Sequence, residues 1–310
     1  MTTGKTLPQF IEALGLDGVE LMVYKTEPYA QSYNKETVGA HLNYWPYWLD
    51  FWRGNEKIIQ KQFQCEKDCR LYFCGAHCGT EWLKVIKANI RAALVAEPEY
   101  LVWHVAEVGP REIFTFAFKY TDEEVVIRAA EVFNAVAKEI PPGVTVLFEN
   151  LWWPGLRLTD AALVKEFFSL IKRDNVGIML DTGHLMNTNE KLRTEEEGVD
   201  YICHKVKELG EGAKLIKGIH LNCSLSGKYV QGITHAAPQE INERNVMLHV
   251  SNIDQHRPFT TPRVWEIIDL IKPRYLVHEL SYKNFMDFAE KIKMQLNALA
   301  AGKSKGEDNA

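Results

Sequence analysis

The sequence has few cysteines and no long apolar run. Six cysteines in 310 residues are too sparse for a disulfide scaffold. No apolar stretch approaches the roughly 20 residues of a membrane-spanning helix, and the first residues lack the apolar core of a secretory signal. We therefore expect a cytoplasmic protein with no membrane partner.

A basic excess is also missing. The 36 Lys and Arg are outnumbered by 41 Asp and Glu, and the net charge is −5. A protein that holds nucleic acid neutralises phosphates with a basic surface. The basic residues nearest the site described below are scattered, at Lys25, Arg53, Arg111, Arg157, Lys228 and Arg257. We predict no nucleic-acid partner.

Short apolar runs alternate with longer amphipathic stretches along the whole chain. Strands are predicted at residues 19–23, 38–42, 100–105, 144–148, 176–180, 215–221 and 275–280. Helices are predicted at residues 8–16, 81–96, 122–140, 160–172, 199–209, 262–271 and 285–299. This alternation predicts a parallel sheet with helices outside, and the length fits a (β/α)8 TIM-type barrel. A doubly wound open sheet is the alternative, but no Gly-rich phosphate loop follows any strand.

The predicted barrel is weakest at its first strand. Residues 1–7 are polar and short, so the first strand is expected to be missing or degenerate. We predict one barrel domain over residues 1–301 and a disordered tail over residues 302–310. The segment between His220 and residue 253 shows no helical pattern, which predicts a long loop.

Nearly every predicted strand ends in a residue that can bind a metal ion. These residues are His41, His104, Glu149, Asp181, His220 and Glu279, and His184 follows Asp181 by three positions. Parallel strands of a barrel end at one mouth. A lone histidine is commonly structural, but charged groups are rarely buried without partners. Six such ends together predict a divalent-metal site with mixed nitrogen and oxygen ligands. Asp254 and His256 form either a further chelating pair or a solvated turn.

Four motifs carry a resemblance to a known family. They are GVEL at residues 18–21, DTGH at 181–184, HLN at 220–222 and D-x-H at 254–256. With them, the chain resembles the xylose-isomerase-like TIM barrels nearly end to end, and within these the endonuclease IV branch (apurinic endonuclease family 2).

The resemblance implies nine ligands for up to three divalent ions, with zinc as the expected metal. His41 and His104 would hold the first ion, with Glu149 bridging to the second. Asp181, His220 and Glu279 would complete the second ligand set. His184, Asp254 and His256 would hold the third ion.

Such a cluster suits the hydrolysis of a phosphodiester, because two ions can bind phosphate oxygens and activate water while a third stabilises the leaving oxygen. We therefore expect a metal-dependent hydrolase with Glu149 and Glu279 as its catalytic residues. The alternative is a sugar isomerase or epimerase on the same barrel, with one metal ion and these two carboxylates as acid and base. A non-catalytic binding module is the third hypothesis.

Aromatic residues directly follow two of these ligands. The segments WPYWLDFW at 45–52 and WWPGL at 152–156 contain five of the eight Trp. Trp45, Trp48, Trp152 and Trp153 are candidate substrate-binding residues that would stack on a large planar ligand, with loop packing as the alternative. These segments resemble those of a bacterial subgroup implicated in cobamide remodelling. That resemblance implies a corrinoid substrate whose nucleotide-loop phosphoester is cleaved to give cobinamide phosphate.

Two smaller expectations concern residues near these motifs. Cys65, Cys69, Cys74 and Cys78 match no common zinc or iron–sulfur spacing, which predicts free thiols, with a secondary metal site as the alternative. His278 precedes Glu279 and should point away from the barrel interior, because side chains alternate along a strand.

Overall fold

Seven parallel strands form the sheet of this protein, in a computed structural model that describes residues 6–24, 34–63 and 65–307. The strands are Val19–Val23 (β1), Thr37–Leu42 (β2), Tyr100–His104 (β3), Thr145–Glu149 (β4), Val176–Asp181 (β5), Ile216–His220 (β6) and Tyr275–Val277 (β7). Each strand pairs in parallel with the next one in the sequence. The predicted strands are therefore confirmed, although β7 is three residues shorter than predicted.

Helices cover the outside of the sheet and fill the connections. They are Leu7–Leu14 (α1), Leu49–Arg53 (α2), Glu56–Gln62 (α3), Glu66–Tyr72 (α4), Gly79–Leu94 (α5), Glu112–Thr115 (α6), Asp122–Val136 (α7), Ala161–Leu170 (α8), Thr182–Asn187 (α9), Glu195–Glu208 (α10), Gly227–Gly232 (α11), Glu243–Ile253 (α12), Val264–Ile271 (α13) and Phe285–Glu307 (α14). Each predicted helix is present. The start of α7 shows why, since Thr121 accepts the N–H of Glu124 in a capping box.

The sheet curls into a nearly closed TIM barrel. The ring of Tyr100 in β3 lies 4.3 Å from that of Tyr275 in β7, and the Tyr100 hydroxyl donates to Glu20 in β1. Side chains from both ends of the sheet therefore meet inside the barrel. No pairing joins β1 to β7 in the described parts of the chain. This single seam is the feature expected of a barrel with a missing or degenerate first strand.

Two layers of apolar residues surround the strands. Inside the barrel, Tyr100, Val102, Leu147, Met179 and Tyr275 pack together. A larger core lies between the strands and the outer helices and includes Phe148, Phe133 and Phe167. Because successive strand residues point to opposite faces, each strand contributes to both layers.

The structure corrects two of the predictions made above. The segment after His220 contains α11 and α12, where we expected a loop without helices. The sequence of α12 shows no clear division into an apolar and a polar face, because its apolar residues Met247 and Leu248 lie on the exposed side of the helix. The tail prediction is wrong for residues 302–307, which continue α14. A Cβ at Gly302 would lie 2.1 Å from the Pro262 carbonyl oxygen, so close packing against the start of α13 holds this part of the helix. Residues 308–310 lie outside the described residues.

Candidate metal centre

Seven of the nine predicted ligands lie at the carboxyl ends of the strands or within three residues of them, and the other two, Asp254 and His256, follow α12. The sheet register pairs His104 with Glu149 and Asp181 with His220. Neighbouring strand ends therefore place these side chains next to one another at the mouth of the barrel. His41 lies in β2, one residue from the end of that strand.

All nine predicted ligands fall into three groups, in each of which the possible ligand atoms lie within 4.8 Å of one another. The first group is His41, His104 and Glu149; the second is Glu149, Asp181, His220 and Glu279; the third is His184, Asp254 and His256. The groups coincide with the three ligand sets implied by the resemblance. That these residues bind metal ions stays a prediction.

Glu149 occupies the centre of the site and is fully buried. Its Oε2 lies 3.0 Å from His41 Nε2 and 3.2 Å from His104 Nε2. Its Oε1 lies 3.3 Å from the Nδ1 atoms of both His184 and His220. One oxygen therefore faces the first group and the other faces the second, which is the geometry a bridging carboxylate needs.

The donor atoms of the second group fit a divalent cation. Glu149 Oε1, His220 Nδ1 and Glu279 Oε2 are buried and have no hydrogen-bond partner. His220 Nδ1 and Glu279 Oε2 lie 2.7 Å apart without hydrogen-bond geometry. A buried polar atom left unpaired costs about 1–3 kcal/mol, and a cation at this position would remove that cost. Zinc, manganese and iron all accept such imidazole and carboxylate ligands.

The third group joins α9 to the loop after α12. Asp254 Oδ2 lies 3.3 Å from His184 Nε2 and 2.7 Å from His256 Nε2. The Gln255 N–H donates to Ser224 Oγ, which ties this loop to the segment after β6. Only 16–17% of the Asp254 and His256 side chains is exposed. These two residues therefore belong to the site, and the solvated-turn alternative does not describe them.

Hydrogen bonds orient the histidines and Asp181. His184 Nδ1 lies 2.8 Å from the Asn150 carbonyl oxygen, which can only accept, so Nδ1 donates there. Nε2, which faces Asp254, is the nitrogen that would bind a metal ion once it has lost its proton. Asp181 caps α9 by accepting the His184 N–H, and its other oxygen accepts from Asn222 Nδ2. Asn150 and Asn222 were not among the predicted residues. They could have been found from their position in the sequence, since Asn150 directly follows Glu149 and Asn222 follows His220 by two residues.

Burial and neighbouring charges shift the pKa values of the site. Burial raises the pKa of Glu149, but His104 and His220 outweigh it and hold that pKa well below its usual range. Burial raises the pKa of Asp181 to about 7. Burial lowers the pKa of His256, but Asp254 outweighs it and raises that pKa to about 10. In the metal-free protein at neutral pH, His256 is therefore protonated and must lose a proton before it can bind a metal.

Glu20 in β1 is a further member of the site that sequence reasoning missed. Its side chain is 6% exposed and its Oε1 lies 3.0 Å from His220 Nε2. With His41 and His220 it forms a fourth group of possible ligand atoms. The available signal was a carboxylate inside an apolar strand, which is rarely buried without a partner.

Trp45 and Trp48 are buried, with 7% and 6% of their surface exposed. Both rings contact Trp82 of α5. Their indole N–H groups donate to the carbonyls of Tyr72 and Ala106. These contacts favour the packing alternative for the two residues.

A pocket lies between β2, β3 and the helices α5 and α7. Trp45 and Trp48 line it together with Tyr44 and the predicted ligand His104. A role of these two tryptophans in substrate binding therefore stays a prediction.

Trp152 and Trp153 pack against each other beside His184. Their ring centroids are 4.5 Å apart, and that of Trp152 is 5.2 Å from His184. Only 5% and 4% of their surface is exposed, and both indole N–H groups are buried without a partner. The rings thus lie beside the predicted ligands but do not form an open wall, and their substrate role also stays a prediction.

The remaining expectations concern thiols, His278 and basic residues. In the described part of the chain the cysteines are free, as predicted, and none belongs to a group with metal-ligand spacing. His278 Nδ1 accepts from Gln295 of α14, which confirms that it points away from the barrel interior. Arg157 pairs with Asp122 at 2.6 Å, and Arg53 lies 3.6 Å from Glu124. Lys25 lies outside the described residues.

Residues 83–286 match the family of Xylose isomerase-like TIM barrels. This match covers more than half of the chain, and the protein belongs to that family. The comparison with curated proteins found no match. Within the described residues, none of the helices combines the length and apolar character needed to cross a bilayer.

Solved structures with a similar fold include enzymes of two kinds, according to their names. A D-tagatose 3-epimerase-like protein shares 15% identity over 97% of this chain and 96% of its own, with a TM-score of 0.53. D-psicose 3-epimerase in the presence of D-fructose shares 13% sequence identity over 96% of this chain and 92% of its own, with a TM-score of 0.54. Endonuclease IV from Thermus thermophilus shares 12% sequence identity over 94% of this chain and 91% of its own, with a TM-score of 0.52. At these identities the likeness shows the fold alone.

Proposed function

We propose that this protein is a metal-dependent phosphodiesterase that binds up to three divalent ions. One observation supports the proposal: the predicted ligands form three groups, and the group of His184, Asp254 and His256 adds a third set to the two that share Glu149. An isomerase or epimerase needs only one or two ions, so it would leave this third set without a purpose.

The residues of the chain would organise the reaction as follows. When bound, divalent ions stabilise negative charge on phosphate oxygens and lower the pKa of an attacking water. Glu149 fixes the spacing of the first and second positions, since its two oxygens face different groups. Asp181 is held in place by Asn222 and by the N-terminus of α9. Glu279, with 25% of its side chain exposed, is the catalytic carboxylate most accessible to a substrate.

A small-molecule phosphodiester is the proposed substrate class, with a cobamide as the specific candidate. Its support is the resemblance of the segments after His41 and Glu149 to those of a cobamide-remodelling subgroup. The net charge of −5 also disfavours a polyanionic partner. Two of the scattered basic side chains, Arg53 and Arg157, are already paired with carboxylates.

Sugar epimerisation is the second candidate, and one observation favours it. Glu149 and Glu279 lie in the same four-residue group as Asp181 and His220. Two carboxylates that face one metal position are suited to moving a proton off and onto a sugar carbon.

Metal stoichiometry and a substrate panel separate the two candidates. The purified protein would be analysed for metal content and assayed with a cobamide, an activated phosphodiester, an abasic duplex DNA and a ketohexose, with and without chelator. About three ions per chain and chelator-sensitive cleavage of the cobamide support the proposal. About one ion and turnover of the ketohexose would replace it with epimerisation, while cleavage of the DNA alone would refute the cobamide substrate.

A further inference from the structure

We infer that Glu20 is a positioning residue that orients His220 toward the second ligand group and is itself held by Tyr100. This inference rests on the metal-binding part of the proposed function. His220 lies between two sets of carboxylates. On one side its Nε2 is 3.0 Å from Glu20 Oε1, and on the other its Nδ1 is 2.7 Å from Glu279 Oε2.

The position of one proton decides whether His220 can serve as a ligand. A neutral imidazole carries its proton on one nitrogen and offers a lone pair on the other. Glu279 and Glu149 both lie near Nδ1 and favour a proton on that nitrogen. A carboxylate at Nε2 opposes them by accepting the Nε2–H, which leaves the Nδ1 lone pair directed at the second group. His220 is fully buried, so its Nε2 is not solvated by bulk water and depends on Glu20 as its partner.

Tyr100 holds Glu20 in place by reaching it across the intervening strand β2. The register aligns Glu20 with Gly39 and Gly39 with Tyr100 on three adjacent strands. A Cβ at Gly39 would lie 2.1 Å from Tyr100 Cζ, so the missing side chain lets the Tyr100 ring pass over β2. The Tyr100 hydroxyl then donates to Glu20 Oε2 at 2.8 Å. Tyr100, Glu20 and His220 thus form a chain of hydrogen bonds that ends at the second group.

The fourth group of ligand atoms, Glu20 with His41 and His220, does not require a fourth ion. His41 Nδ1 lies 3.0 Å from the Leu42 carbonyl oxygen, which can only accept, so Nδ1 donates there. Its Nε2, which faces Glu149, is the nitrogen that would bind a metal ion of the first group. The nitrogen of His220 that faces Glu20 is used in the hydrogen bond. Metal-binding histidines commonly donate their outer N–H to a carboxylate in this way, and loss of such a partner typically weakens metal binding 10–100-fold.

Two substitutions at Glu20 distinguish positioning from packing. Glu20→Gln keeps the volume and removes the charge, while Glu20→Asp keeps the charge and removes a methylene. Metal-free full-length protein would be titrated with Zn²⁺ against a chromophoric chelator. We expect Glu20→Gln to weaken one of the zinc sites by roughly 10–100-fold and Glu20→Asp to weaken it less. A packing role requires the opposite order, because only Asp leaves a void.

Matched tyrosine variants test the hydrogen bond between Tyr100 and Glu20. Tyr100→Phe removes the hydroxyl that donates to Glu20, and Tyr275→Phe removes one that donates to Glu99 at 3.0 Å, away from the site. We expect a measurable loss of zinc affinity in Tyr100→Phe and none in Tyr275→Phe.

The inference and the proposed function can fail separately. Unchanged zinc affinity in Glu20→Gln, or four ions per wild-type chain with one lost in this variant, would overturn the positioning role. Zinc binding as expected without cleavage of any phosphodiester would overturn only the proposed function. Wild-type protein that binds no zinc would overturn both.

Discussion

Replacing Glu149 with glutamine removes the charge at the centre of the site while keeping the size of the side chain. The carboxylate is fully buried, and its oxygens lie 3.0–3.3 Å from the nitrogens of four histidines. We expect Glu149→Gln to lose at least one metal ion and to abolish turnover while the fold stays intact. The amide keeps one oxygen but cannot neutralise two cations.

The size of the effect follows from the burial of this charge. Opposite unit charges about 4 Å apart attract by about 4 kcal/mol at an effective dielectric constant of 20. If this stabilisation is lost from the transition state, the rate falls about a thousandfold, since each 1.4 kcal/mol corresponds to a factor of ten.

The assay compares the variant with a matched control. Glu107 is also a buried glutamate, 3% exposed, which accepts the N–H groups of Trp48 and Leu49 outside the metal groups. Burial raises the pKa of Glu107 well above its usual range. Glu107→Gln keeps the size of this buried side chain and leaves an oxygen that can accept the same N–H groups. Metal content, kcat and Tm would be measured for both variants. The bridging role is wrong if Glu149→Gln keeps its metal ions and more than about a tenth of the wild-type rate, a loss under about 1.4 kcal/mol.

Three further predictions address the third group, its protonation and the aromatic core. His256→Ala should lose one ion of three and slow the reaction without emptying the site. The control is His204→Ala on α10, where 67% of the side chain is exposed, and this variant should lose no ion. Unchanged metal content in both variants would refute the third group. The His256 pKa is raised from 6.5 to about 10 in the folded metal-free protein. Its ion pair therefore stabilises that protein fully below about pH 6.5, and the contribution disappears as the pH rises through about 10. Over the same pH range the metal affinity should rise, because only neutral imidazole binds a metal ion. The free energy of unfolding would be measured for metal-free wild type and His256→Ala at pH 6 and pH 10. If both proteins change equally between the two pH values, the assignment to His256 is wrong. Trp48→Ala should cost about 3–5 kcal/mol of stability and leave KM unchanged in the folded protein; a raised KM with an unchanged Tm would instead favour substrate stacking.

The sequence by itself determined the strands and most of the residues at the site. Strand positions follow from short apolar runs, and β-α alternation leaves few ways to arrange them. Because parallel strands end at one mouth, residues such as His104, Glu149 and Asp181 could be assigned to one site from the sequence alone. The side-chain alternation that directs Glu279 to the site and His278 outward is equally local.

Only the tertiary structure decided how these residues are oriented and what surrounds them. Glu20 and His220 are 200 positions apart in the sequence, and their contact depends on the curvature of the whole sheet. The burial of Trp48 depends on its packing against Trp82 of α5, which an aromatic residue in a loop segment does not reveal. The helical end of α14 likewise depends on a close approach to α13. Local pattern therefore determined which residues reach the mouth of the barrel, while long-range packing decided the protonation, orientation and exposure of their side chains.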